Sequence, residues 1–452
     1  MPTVRPPLHL RVATAPPLAG SPRLAYVLDT LTEWAGWTWA WEQARPGEPG
    51  AGPHGVREKV VRLDYRAEPG RPAPREVRTV FLSAEGSLAA GATLGEAAWG
   101  DYAGVPCPRG ADPLAGAFEL LALAAEYRDL PRDLHKRLPA DAYPHAARGH
   151  AGTPLADRLL GALARRLLEA AGEPTPADGA PFRQQPTRST LDVDDARYAL
   201  GRGPRRWLGH AYRSLAHADL AHIRHALASL APGARDPYDT FGLLGQLHRA
   251  RELRAQLFVL PGYGTRLDPN LPLLSPTLRA VVAEAAAWAD IHLHPSYRAA
   301  DDPGLLRREL DSWRDFAGAS PEAVRMHFLR ARIPTTYRIL EALGVRHDYS
   351  AAWADRTGFR CGTARAFRWY DLQAERSTQL RLHPPHAMDV TLRNYMRLSP
   401  REACEELAAL AGEAARSRSG LHLIWHNTNL GPAQGWSAWR EVYACALDLL
   451  AG

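Results

Sequence analysis

From residue 187 onward, short apolar runs alternate with amphipathic stretches of helical period. The runs are STLDVDD (189–195), QLFVLPG (256–262), DIHLHPS (290–296), VRMHFLR (324–330), VRHDYS (345–350), a stretch containing LRLHPP (380–385) and GLHLIWHN (420–427). Between them the spacing predicts helices near 214–230, 240–253, 276–289, 303–317, 335–343, 400–416 and 434–450. Strands and helices in this alternation predict an α/β fold with a parallel sheet, open or closed into a (β/α) barrel. Ser275-Pro276, Asp302-Pro303, Ser320-Pro321 and Ser399-Pro400 each put a capping side chain before a proline suited to a first helical turn, and Glu402 gives Ser399 a capping-box partner. Upstream, the pattern predicts helices at 22–36, 114–127 and 155–171 and strands at 60–65 and 79–83, a smaller mixed α/β region. A Gly/Pro-rich loop occupies 43–57, and EPTPADGAPFRQQP (173–186) reads as a linker, so residues 1–180 and 187–452 are the expected domains.

Composition changes little in this picture. With 46% hydrophobic and 23% charged residues, the 452-residue chain is globular rather than disordered. The formal charge is +6, yet Lys59 and Lys136 are the only lysines, and the arginines are interleaved with acids, as in Arg307, Arg308, Glu309 and Asp311. A nucleic-acid partner, which calls for clustered charge, is therefore not expected. Cys107, Cys361, Cys404 and Cys445 lack paired spacing, so neither a cysteine zinc site nor a disulfide framework is indicated. No stretch has the apolar length of a membrane span, and the proline-broken N-terminus does not read as a signal peptide, which makes cytoplasmic residence the expectation.

The chemistry gathers at strand ends. Asp192, Asp194 and Asp195, then His292 and His294, His327 with Arg330, Asp348 and His426 each close an apolar run, where the residues of a (β/α) barrel meet at one mouth. Asp192 and Asp194, two apart, share a strand face and need a cation or a basic partner between them. Asp195 is as well placed to cap a turn. His292 and His294 also alternate on one face, and imidazoles beside carboxylates suit a borderline ion such as zinc; of the two, His294, leaving its strand through His-Pro-Ser-Tyr, is preferred. His383 and His386 form a further pair, with His386 assigned to the surface. His426 has the chemistry of a general acid or base and equally that of a hydrogen-bonded structural histidine.

On these residues the sequence resembles the polysaccharide deacetylase superfamily, the NodB-homology fold, in its bacterial branch with a preceding domain of unknown function. The matching segments are LDVDD at 191–195, DPYDTFGLL at 236–244, LHPSYR at 293–298, RMHFLRARIPTTYRILEALGVRHDYS at 325–350, GFRCGTARAF at 358–367, MDVTLRNY at 388–395 and LIWHN at 423–427. The resemblance implies a distorted (β/α) barrel preceded by the smaller domain, and hydrolysis of an acetyl group on a sugar or glycan precursor with a divalent metal ion, zinc by preference. It makes Asp192 the general base, Asp194 and His294 metal ligands, and His426 the group that protonates the leaving amine. Arg330 or Arg325 would hold the base. The family's H-x-x-x-H departs here, with Arg298 where the second histidine belongs, so His327 is expected to complete the metal set. Arg298, Asp348 and Trp425 are the expected substrate contacts. The same departure sustains an alternative, a catalytically inactive deacetylase-like protein that binds or assembles glycans; under either reading Trp353, Trp369, Tyr370 and Trp425 are candidates for a saccharide-stacking platform, with barrel-core packing the commoner use of such residues.

Overall fold

The computed structural model describes residues 8–14, 18–42, 59–66, 78–84, 87–92, 94, 98–175, 180–198, 236–431 and 436–452. The helix expected at 214–230 lies outside the described residues, as do the whole of the 43–57 loop and residues 176–179 of the expected linker.

The first sheet is parallel, in the order β2-β1-β3-β4, from β1 (Leu8–Thr14), β2 (Thr38–Trp41), β3 (Lys59–Arg66) and β4 (Thr79–Ser83). The sequence reading missed β1 because prolines flank it, although Leu8, Leu10 and Val12 alternate as a half-buried strand does. A small hairpin, β5 (Gly100–Tyr102) and β6 (Val105–Cys107), follows. Helices α1 (Pro22–Ala35), α2 (Pro113–Leu121) and α3 (Leu155–Ala171) complete this part. The Ser21 side chain caps α1, and Gly36, at φ 75°, ends it in the left-handed conformation that glycine adopts without strain.

The second sheet holds, among the described residues, nine strands in the order β12-β13-β11-β10-β9-β8-β7-β15-β14. They are β7 (Arg188–Val193), β8 (Ala255–Val259), β9 (Ala289–Leu293), β10 (Ala323–Val324), β11 (His347–Asp348), β12 (Phe367–Asp371), β13 (Arg376–Leu382), β14 (Ala387–Met388) and β15 (His422–His426). All pair in parallel except the β12–β13 hairpin, which the sequence reading did not anticipate. The alternation with helices is as expected, with α4 (Phe241–Arg249), α5 (Pro276–Ala285), α6 (Pro303–Ala317), α7 (Thr335–Ala342), α8 (Pro400–Arg416) and α9 (Trp439–Ala451). Ser399 and Glu402 form the capping box at α8, whereas Ser275 makes no side-chain cap. Among the described residues no helix is long and apolar enough to cross a membrane.

This sheet is strongly curled, though its hydrogen-bonded order does not close. β13 and β14 are seven strand spacings apart, about 34 Å if the sheet were flat. The chain from Leu382 to Ala387 spans at most about 18 Å. β13, flanked by β11 and β12, and the edge strand β14 must therefore approach, leaving a seam bridged by His383-Pro384-Pro385-His386, in which His383 N–H donates to the Asp348 carbonyl and His386 N–H to the His422 carbonyl, at 2.8 Å each.

One buried apolar core runs through both parts of the chain. Tyr26 on α1 and Phe118 on α2 pack on Tyr370 of β12 with ring centroids 5.0 and 5.1 Å away, and the Tyr26 hydroxyl donates to the Arg368 carbonyl at 2.8 Å. Arg23 pairs with Glu375, and Arg360 with the fully buried Glu126.

Candidate metal centre and active site

β7 lies between β15 and β8, which puts Asp192 level with His426 on one side and Phe258 on the other. Asp194 leaves the strand two residues later on the same face. His294 follows β9 directly, and His327 sits in a short turn after β10. Asp192, Asp194, His294, His327 and His426 all line one cavity of about 260 Å³.

Three of these residues bring ligand atoms within 4.8 Å of one another: Asp194, His294 and His327. The outer nitrogen of each histidine is committed. His294 Nδ1 donates to the Arg325 carbonyl, and His327 Nδ1 lies 3.1 Å from Asp268 Oδ1. Their Nε2 atoms therefore face the Asp194 carboxylate, at 3.3 Å from Oδ1 for His294 and 3.5 Å from Oδ2 for His327. Asp194 Oδ1, though buried, makes no well-formed hydrogen bond. Lone pairs turned toward one another call for a cation, and a carboxylate with two imidazoles, each fixed through its Nδ1, is a donor set that fits zinc or a similar ion. In the metal-free protein a proton serves instead. Burial disfavours the His327 imidazolium, but Asp194 and Asp268 outweigh that and hold its pKa up to about 9. Burial likewise opposes ionisation of Asp194, yet His327, with His294 and His426 beside it, keeps its pKa well below the ordinary carboxylate range.

Asp192 is held separately. Arg325, fully buried, donates from Nη1 to Asp192 Oδ1 at 2.5 Å, from Nη2 to Thr190 Oγ1 at 2.7 Å and from Nε to the Tyr349 carbonyl at 3.0 Å. Its guanidinium also lies 4.3 Å from the Phe258 ring centre. On the neighbouring strand, His426 Nδ1 is 2.7 Å from Oδ1 of the fully buried Asp389, which also accepts from the His426 and Asn429 nitrogens at 2.9 Å each. Burial works against a charged His426, but Asp389, then Asp194 and Asp192, raise its pKa to about 10.

The remaining residues singled out in the sequence lie elsewhere. Arg330 donates to the His135 and Tyr297 carbonyls and to Asp301, and covers the Tyr297 ring at 3.9 Å; it makes no contact with Asp192. Arg298 is exposed, in the turn after His294. Asp348 is buried among Tyr337 and Ser350, and Trp425 packs on Tyr443. His292 bonds Gln256 at 2.7 Å below the cavity, and burial takes its pKa down to about 4. His386, expected at the surface, is 1% exposed, and its Nδ1 accepts from the His422 backbone. It fills the seam of the curled sheet, which the sequence reading placed in a surface loop. Asp268 and Asp389 escaped that reading because neither ends a recognisable apolar run.

Residues upstream of the second sheet reach the cavity. Phe328 and Leu329, directly after His327, have φ of 59° and 57°, a left-handed pair that costs non-glycine residues about 1–3 kcal/mol each. Arg137 donates to the Phe328 carbonyl at 2.9 Å and to the Tyr395 hydroxyl at 3.2 Å, and the His135 ring lies 4.7 Å from that of Phe328.

Asp268 shapes the ligand set from behind, since it fixes the His327 ring while accepting from the Tyr297 backbone at 2.8 Å. The expected result of Asp268→Asn is a roughly 10- to 100-fold weaker hold on a divalent ion, measured by competition with a chelating dye, with the fold retained.

No family model matches the chain, and no curated protein matches it. Among solved structures, it is similar to a protein from Mycobacterium smegmatis named as a polysaccharide deacetylase, at 17% identity over 61% of this chain and 90% of that one, with a TM-score of 0.37. A Bacillus cereus polysaccharide deacetylase aligns at 9% identity over 59% of this chain and 87% of its own, TM-score 0.29. A Streptomyces lividans family 4 carbohydrate esterase, solved with acetate, aligns at 12% identity over 47% and 80%, TM-score 0.26. Polysaccharide deacetylases, the family whose motifs the sequence resembles, are thus among the solved structures to which this chain is similar.

Proposed function

We propose that the protein is a metal-dependent hydrolase that removes an acetyl group from a sugar or glycan precursor. The observation that carries this reading is the convergence, in one cavity, of the Asp194–His294–His327 set with two differently supported proton-transfer groups, Asp192 on Arg325 and His426 on Asp389.

Asp194, His294 and His327 would hold the ion, with His327 supplying the ligand missing at Arg298. A divalent ion there supplies positive charge that polarises the acyl carbonyl. Asp192 accepts the proton of the attacking water; its contact with Arg325 orients the carboxylate for that task. His426, carrying a proton at neutral pH, donates it from Nε2 to the departing amine or alcohol, while Asp389 fixes the ring through Nδ1. Base and acid thus flank the ion site, as a bond cleavage requiring one proton removed and one delivered calls for. Phe328, Leu329, Met388 and Val390 supply apolar wall in the same cavity, suited to excluding water around an acyl group. To residues 1–180, proposed as the smaller N-terminal part, we assign the supporting role that Arg137 and His135 play at Phe328.

The test is metal content and hydrolysis measured together. Asp192→Asn is expected to retain a stoichiometric divalent ion while hydrolysis of acetylated sugars falls about 10²- to 10⁴-fold. Unchanged hydrolysis in that variant would sink the reading. Glycan binding indifferent to a chelator, with no hydrolysis by the parent, would favour the inactive binding protein instead.

A further inference from the structure

At the opposite end of the curled sheet from the metal centre lies a cluster that the proposed reaction does not use. Arg188, Thr190 and Asp192 share the inward row of β7, so Arg188 stands four residues, about 13 Å, below Asp192. Arg188 is level with His422 at the start of β15, and both line a small cleft with His383, the residue that follows β13. The cleft, of about 10 Å³, has room for roughly one water-sized guest.

Its lining is electrostatically one-sided. Arg188 has no carboxylate partner among the described residues; its polar contact is with the Tyr349 hydroxyl at 3.5 Å. His383 and His422 are each 5% exposed, and His383 Nδ1 and His422 Nε2 have no hydrogen-bond partner among the described residues. Burial first, and then neighbouring Arg188 and other histidines, push the pKa of both rings well below the ordinary value, so they are neutral and each has one N–H to give. His383 Nε2 is 3.0 Å from His347 Nδ1. When His347 donates there, the His383 N–H is left on Nδ1. A guanidinium without a counter-charge, flanked by buried imidazole donors, is complementary to an anion. The position adds a reason for one. β13 and β14 are not paired with each other, β12 holding the outer side of β13, and Arg188, His383 and His422 come from the strands around that seam.

We propose that the cleft is a structural anion site for a monatomic halide, chloride under cellular conditions, which Arg188, His383 and His422 hold across the seam. The ion joins β7, β15 and the chain leaving β13. It is independent of the deacetylase reading, since none of the three residues lines the metal-bearing cavity.

The experiment pairs anomalous diffraction from crystals of the full chain soaked in sodium bromide with thermal unfolding in sodium chloride, bromide, phosphate or gluconate at equal ionic strength. The expected result is a bromide peak between Arg188, His383 and His422. The unfolding temperature should rise by about 3 °C, saturating, in chloride and bromide but not in gluconate. Arg188→Gln should abolish both signals. An ordered water in the cleft with no bromide peak, or equal unfolding temperatures in all four salts, would overturn the proposal. A rise confined to phosphate, without a bromide peak, would overturn the monatomic assignment in favour of an oxyanion. The diffraction result is read on the parent protein, so it stands even if Arg188→Gln fails to fold.

Discussion

Asp194→Ala is expected to give a folded protein that no longer retains a stoichiometric divalent ion and whose hydrolysis of acetylated sugars falls by about 10³-fold or more. Asp194 is the one carboxylate of the ligand set, and the Nε2 atoms of both His294 and His327 face it. Its loss leaves two imidazoles, too few for a protein-held tetrahedral ion with an open position. The same set makes ion uptake by the parent depend on pH with a definite sign. His327 must be neutral to donate its Nε2 lone pair, yet its pKa in the metal-free protein is raised to about 9. Below that value uptake must displace a proton, so apparent affinity should rise roughly tenfold per pH unit between 7 and 9 and flatten above. Calorimetry in buffers of different ionisation enthalpy reads the released proton directly. An affinity that does not change with pH over this range would show that His327 is not a ligand. Asp194→Ala should also lower the His327 pKa, because Asp194 is the largest influence raising it against burial.

The second large effect is expected at Asp389, which touches no substrate in this reading and acts through His426. In the proposed reaction His426 is the general acid, which works while protonated, so activity is lost as pH rises through its pKa. Asp389 is the leading influence opposing burial in holding that pKa near 10. Asp389→Asn removes the negative charge at nearly constant shape. The pKa then falls, the alkaline limb of kcat/KM moves toward neutrality, and kcat drops about 10²-fold at pH 8. An ion beside Asp194 offsets part of the charge that raises His426, so the limb of the loaded enzyme lies below that of the metal-free imidazole. His426→Gln should remove the alkaline limb altogether while leaving ion content unchanged. If Asp389→Asn shifts no limb and lowers activity only in proportion to folded protein, Asp389 is a structural residue.

How far the sequence exposed this arrangement depends on strand length and period. Asp192, Asp194, His294, His327 and His426 follow recognisable apolar runs, and the mouth of a parallel sheet is where such residues converge. Period two also carried information that the first reading left unused. Trp425 is in register with Leu191 and Asp348 with Val324, so both point away from the row of Asp192, toward the helices, where Tyr443 and Tyr337 meet them. Arg325 and Arg330 were not separable by spacing, because β10 is only two residues long. What separates them is the left-handed pair Phe328–Leu329, which turns the chain so that Arg330 leaves toward Asp301. Asp268 lies in a non-periodic loop and Asp389 after a two-residue strand, and neither setting leaves a pattern in a single chain. The α/β alternation was legible; the β12–β13 hairpin and the seam were not, since both depend on which edges meet.

The contact of Arg137 and His135 with Phe328 has a thermodynamic consequence. These two side chains belong to the upstream part of the chain, and Phe328 is the immediate neighbour of His327. If their contact favours the backbone geometry from which His327 binds the ion, the ion must favour their contact by an equal free energy, because coupling between two equilibria is reciprocal. Metal loading would then be felt in the first sheet as slower amide exchange, and damage to the packing of α1 or α2 would surface as weaker metal affinity, with no ligand altered.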